Sequence, residues 1–139
     1  MTVFASDIHA SFDALERLLE AGEPAVILGD LANLTDYRTG EGALAEVLGL
    51  DFALAAGRAR ADSDYERMSN LWSSHVGDNV EKVRSDIGKA IVRQYKRATE
   101  VLAKGTGWVI HGNVDHPGEL RKALPASFTY AHEIGRAHV

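Results

Sequence analysis

The stretch MTVFASDIHASFDALERLLEAGEPAVILGD, residues 1–30, decides how this chain folds. Val3-Phe4-Ala5 and Ala25-Val26-Ile27-Leu28 are short continuous apolar runs, and between them Phe12, Leu15, Leu18 and Leu19 recur at helical spacing. The period predicts strand, helix, strand. Ser11 stands where an N-cap would accept a backbone N–H, and Gly22 where a left-handed residue would close the helix.

Outward from this unit the same pattern returns. Trp108-Val109-Ile110 is a third apolar run, Pro117 can open a short helix through Leu120, and Phe128-Thr129-Tyr130 reads as a further strand. Short apolar runs alternating with helical segments are the signature of a parallel sheet with crossover helices, so the core is expected to be α/β.

About 70 residues separate the second and third runs, far more than an ordinary connection, so that stretch needs structure of its own. It reads as a helical insertion spanning about 35–105. Asp78 and Glu81 have the spacing of a capping box; Val83, Ile87, Ile91, Tyr95, Ala98 and Leu102 then share one face, and Gly105 can end the helix. Ala43–Ala61, with Leu44, Val47, Leu48, Phe52 and Leu54, reads as one or two shorter helices. An outer packing layer is the plain account of these helices; a dimer interface or a cap over a site is the other.

Composition narrows the function. The chain has 139 residues, a formal charge of -5 and no cysteine, which fits one globular domain, 1–139. The acidic balance argues against general nucleic-acid binding, which needs a basic face to displace counterions. Without cysteine, any metal must be held by His, Asp, Glu or Asn. The N-terminus lacks the form of a signal peptide and no apolar run approaches a membrane span, so a cytoplasmic location without membrane association is expected.

Three motifs sit at the ends of the first three strands. In Asp7-Ile8-His9 the carboxylate and imidazole are two apart, so in extended chain they face the same way and can reach one ion. Gly29-Asp30 follows the second strand, and Gly112-Asn113 the third; an Asn carbonyl is a hard ligand for a divalent ion. Alone, Asp7-Ile8-His9 reads first as an exposed polar pair, and Gly29-Asp30 and Gly112-Asn113 as ordinary turns. Together they occupy the C-terminal edge where open α/β sheets collect their sites.

Asp-x-His, Gly-Asp and Gly-Asn in this order resemble the calcineurin-like metallophosphoesterases, and Gly112-Asn113-Val114-Asp115 looks most like their small bacterial phosphodiesterase branch. The resemblance runs from Met1 to about Leu124, the helical insertion aside. It implies a β-sheet sandwich flanked by helices. It also implies a two-metal hydrolase of phosphate esters working through a bridging hydroxide, with Asp7 and His9 on the first ion, Asp30 bridging and Asn113 on the second. Mixed His, Asp and Asn ligation suits manganese, iron or zinc better than magnesium.

The chain also departs from the family. Val114 stands where many members carry a proton-donating histidine, which favours phosphodiesters over monoesters and leaves Asp115 and His116 as the catalytic candidates. His111 is at best a support behind Asp30, and Asn33 and Arg38, in the polar loop after Asp30, are the candidates to touch a phosphate oxygen. The downstream histidines of the family have no counterpart before Val139; His132 and His138 lie in the right region without the spacing, and neither is assigned. The chain therefore reads as the first part of the family pattern. A sheet so shortened would expose an apolar face, from which a homodimer or swapped assembly is expected. The alternative is a phosphoesterase-like scaffold that binds partners and is catalytically incomplete. Gly105-Thr106-Gly107 and Gly40-Glu41-Gly42 do not have a phosphate-loop pattern.

Overall fold

The structure, a computed structural model, describes residues 1–131. His132 and His138 lie outside the described residues. Contacts divide the chain into two compact units, one of residues 1–32 and 92–139, the other Asn33–Ile91.

The first unit carries the sheet. Its strands β1 (Val3–Ala5), β2 (Ala25–Ile27), β3 (Gly107–Val109) and β4 (Phe128–Tyr130) are all parallel and lie in the order β1-β2-β3-β4. The α/β reading of the apolar runs is thus met. Among the described residues there is one sheet, so the second sheet of a sandwich is not part of what is seen.

The register explains the two faces. Phe4, Val26, Trp108 and Thr129 align across the strands on one side, where Phe4 is 66% and Trp108 44% exposed. The residues on the other side, Ala25, Ile27, Val109 and Phe128, are buried. Helices α1 (Phe12–Glu20), the second half of α5 (Val80–Leu102) and α6 (Pro117–Ala123) add Leu15, Leu19, Val101, Leu102 and Leu120 to the buried set. One face is a core and the other is open.

Helix ends show where local rules hold. Gly22 has φ +81° and its N–H donates to the Leu19 carbonyl, closing α1 as expected. Ser11 does precede α1, but it caps through its backbone carbonyl, which accepts from Ala14 and Leu15, and its side chain makes no capping bond.

The second unit is helical: α2 (Ala43–Leu48), α3 (Leu50–Ala61), α4 (Tyr65–Val76) and the first half of α5. Leu44, Phe52, Ala53 and Ala56 form its centre, with Met68, Leu71, Trp72 and Ile87 packed against them. The Phe52 and Trp72 rings meet edge to face at 5.1 Å. Asp64 caps α4, its side chain accepting from the Arg67 N–H at 2.9 Å. The Asp78–Glu81 capping box does not form: α5 begins at Val80, the Asn79 carbonyl accepts from Val83, and Glu81 pairs with Arg84. An asparagine one residue nearer the helix takes the terminal position in its place.

Candidate metal centre

The loops after β1, β2 and β3 converge at the C-terminal edge of the sheet, and the backbone itself ties them together. The His9 N–H donates to the Asp30 carbonyl at 2.7 Å, and the Ala10 N–H to the Leu31 carbonyl at 2.9 Å. To make these bonds the chain accepts unusual conformations. Asp7 (φ 53°), His9 (φ 43°), Ala10 (φ 61°) and Asp30 (φ 55°) all lie in the left-handed region. For a residue with a Cβ this costs roughly 1–2 kcal/mol, somewhat less for aspartate. Such strain persists only where surrounding bonds over-determine it, and it concentrates at functional sites.

Two glycines make the close approach possible. A Cβ on Gly29, at φ +95°, would fall 2.4 Å from the Gly112 nitrogen, and one on Gly112 would fall 2.0 Å from Asp30 Oδ1. No side chain fits at either position. The glycines of Gly-Asp and Gly-Asn are thus not independent turn formers; they are the surfaces on which the second and third loops touch.

This convergence brings Asp7, His9 and Asp30 together. Each offers a ligand atom, and these atoms lie within 4.8 Å of one another; His9 Nε2 is 3.8 Å from Asp7 Oδ1. Donors around one tetrahedral ion at roughly 2.1 Å are about 3.4 Å apart, so closing on an ion draws the three groups together by up to about 1.4 Å. Asp30 Oδ1 accepts from the Val114 N–H at 3.1 Å, which fixes the carboxylate plane and leaves Oδ2 as the other donor atom. Two carboxylates and an imidazole, half-buried or exposed at a loop edge, are a chemically suitable donor set for a divalent transition metal. Asn113, the fourth expected ligand, is exposed in the same loop, directly after Gly112.

Asp115 does something other than what its motif position suggests. It is buried, its Oδ1 accepts from the N–H groups of Leu31 (3.0 Å) and Ala32 (3.1 Å) and from the Tyr95 hydroxyl (2.9 Å), and its Oδ2 accepts from the Gly112 N–H (2.9 Å). A carboxylate has about four acceptor positions; three of these donors meet Oδ1 and one meets Oδ2, so the structure shows Asp115 first as a buried brace between loops. The Tyr95 oxygen in turn accepts from the His116 N–H at 2.8 Å. Burial pushes the Tyr95 phenol well above its ordinary range, and the Asp115 charge adds to this.

His116 is exposed and directly precedes α6, its side chain making no capping bond. His111 Nδ1 hydrogen-bonds the Tyr130 hydroxyl, and the two rings stack at 6.0 Å. Asn33 and Arg38 belong to the other unit. There the buried Asn33 amide donates to the Glu41 carbonyl, and Arg38 is exposed beside Asp36. In Asn33 the amide thus braces its own loop. Tyr95 is the residue that sequence reasoning missed: it stood on the apolar face of α5 as a core side chain, and nothing in its spacing marks its hydroxyl.

Comparisons with protein-family models, with curated proteins and with solved structures find no match to this chain.

Proposed function

We propose that this chain belongs to a metal-dependent phosphoesterase of the calcineurin-like type, with phosphodiesters as its preferred substrates. The observation that carries the reading is the Asp7–His9–Asp30 group, assembled by strained loops at the C-terminal edge of a parallel sheet. Asp7, His9 and Asp30 would hold one divalent ion, manganese, iron or zinc, and Asp30 with Asn113 would serve a second. Divalent ions there supply Lewis acidity to a phosphate ester and acidify water. The chain's own part is to fix the donors: Val114 N–H orients Asp30, and Gly112 lets the third loop reach it. His116 is the exposed imidazole available for proton transfer in this loop. The open sheet face with Phe4 and Trp108 supports the accompanying proposal that the chain self-associates, which light scattering at micromolar concentration checks.

The test is metal content by mass spectrometry together with hydrolysis of bis-p-nitrophenyl phosphate in added Mn²⁺. Uptake of one to two ions with turnover, both lost in Asp30→Ala, is the expected result. A chain that takes up no metal is instead the partner-binding scaffold.

A further inference from the structure

The geometry points to Asp115 and Tyr95 as a positioning pair that sets the metal affinity of the Asp7–His9–Asp30 group without touching the ion, an inference that rests on the proposed metal centre. Asp30 needs to be held in place. Its backbone sits at φ 55°, a conformation that relaxes unless it is held. The two residues that follow it, Leu31 and Ala32, both donate their N–H groups to Asp115 Oδ1. The Gly112 N–H donates to the other oxygen of the same carboxylate. One buried side chain therefore fastens the second loop to the third, directly behind Asp30.

The reach extends to the first loop as well. The Leu31 carbonyl accepts from Ala10, and the Asp30 carbonyl from His9. Fixing Leu31 therefore fixes the partners that hold His9 and Ala10 in their left-handed turns. Gly112, held on the opposite side of Asp115, is the residue pressed against the Asp30 carboxylate. All three ligand-bearing loops meet at Asp115 through one or two hydrogen bonds.

Tyr95 orients the clamp. Its hydroxyl donates to Asp115 Oδ1 and accepts from the His116 N–H, so the phenol bridges the carboxylate to the start of α6. It comes from α5, whose Ile91, Tyr95, Ala98 and Leu102 are buried, and so is carried on a rigid support. Ligand atoms held to within a fraction of an ångström bind metal more tightly than the same atoms on loose loops, because no ordering cost is charged to binding.

The experiment measures Mn²⁺ binding to the full 139-residue chain from the loss of the free-ion electron paramagnetic resonance signal. Thermal midpoints are recorded in parallel, and the variants are Asp115→Asn, Tyr95→Phe and Leu19→Ala. Asp115→Asn should weaken Mn²⁺ binding by about 10- to 100-fold, the usual cost of losing a group that orients a ligand. Tyr95→Phe, a milder change that keeps the ring, should weaken it several-fold, on the order of what one lost buried hydrogen bond costs. Leu19→Ala removes a buried core side chain and should lower the midpoint at unchanged Mn²⁺ affinity. Should Asp115→Asn fail to fold, Tyr95→Phe alone decides. Wild-type affinity in Tyr95→Phe and in any folded Asp115→Asn, or an equal loss in Leu19→Ala, overturns the positioning role. A wild-type chain that binds no Mn²⁺ overturns the metal centre itself, and the pair with it.

Discussion

Gly112 lies so close to Asp30 that a Cβ on the glycine would fall 2.0 Å from the aspartate Oδ1, inside any permitted contact. The atom in the way is the carboxylate oxygen that Val114 N–H holds in place. Gly112→Ala must therefore either swing Asp30 away or part the two loops. The expected outcome is loss of Mn²⁺ uptake with a destabilisation of about 1–3 kcal/mol, the usual penalty for overpacking. Mass spectrometry and urea unfolding on the same variant check both.

Ala10 supplies the opposite case. It holds φ 61° without the glycine such a conformation favours, and its N–H is committed to the Leu31 carbonyl. Ala10→Gly relieves roughly 1–2 kcal/mol of left-handed strain against an entropic cost of about 0.5–1 kcal/mol in the unfolded chain. A net gain of about 0.5 kcal/mol or more is expected, seen as a rise in the urea midpoint at unchanged slope. A fall in the midpoint would mean that the bonds around Ala10 already absorb the strain.

The same comparison shows what the sequence could and could not carry. Ala25–Leu28 and Trp108–Ile110 announce parallel strands because a continuous apolar run has few other uses; their pairing register is a finding of the structure. Asp7, His9 and Asp30 stand out in the sequence because they lie within a few residues of the ends of apolar runs, Val3–Ala5 and Ala25–Leu28. The left-handed turns at His9 and Ala10 were not legible, since a conformation imposed by bonds to Asp30 and Leu31 leaves no glycine to mark it. The bracing bonds of Asp115 were not legible for a related reason: an aspartate in a loop has the same letter whether its lone pairs face solvent or four internal donors. The start of α5 shifted because Asp78 and Asn79 are both able caps.

Alkaline pH tests the buried phenol. Burial raises the Tyr95 pKa from its ordinary value of 10.0, so above that pH the unfolded chain loses a proton that the folded chain keeps. The folded state then binds more protons, and stability falls as pH rises. The contribution is complete below pH 10.0 and is lost progressively above it. Tyr95→Phe removes this term, so its stability should decline less steeply than wild type between pH 9 and 11 in parallel urea titrations. Equal slopes would place the Tyr95 hydroxyl in contact with water.

In the helical unit, Phe52 is the side chain on which the others close. It is 2% exposed and meets both the Trp72 ring and the His75 ring, the latter at 4.7 Å. Phe52→Ala should cost about 3–5 kcal/mol. Loss of helical circular dichroism at a lower urea concentration is the expected reading, and a cost under about 1 kcal/mol would mean that Trp72 and Leu71 collapse into the space.

Substrate preference turns on what stands beside Asn113. Val114 contributes its N–H to Asp30 and offers no side-chain proton, while the carboxylate of Asp115 is occupied by internal donors. In the proposed phosphoesterase a leaving alkoxide would be stabilised by the metal ions or protonated by His116, which is exposed. A monoester carries more negative charge into the site and gains most from a donor at the position Val114 holds, so diesters are the better match. With Mn²⁺ added, turnover of bis-p-nitrophenyl phosphate should exceed that of p-nitrophenyl phosphate. His116→Ala should slow diesters with alkyl leaving groups by about 10²-fold or more, the range of general acid catalysis. It should leave p-nitrophenolate release nearly unchanged, because that anion needs no proton to depart. Faster turnover of the monoester would sink the preference, and equal effects on both leaving groups would remove His116 from proton transfer.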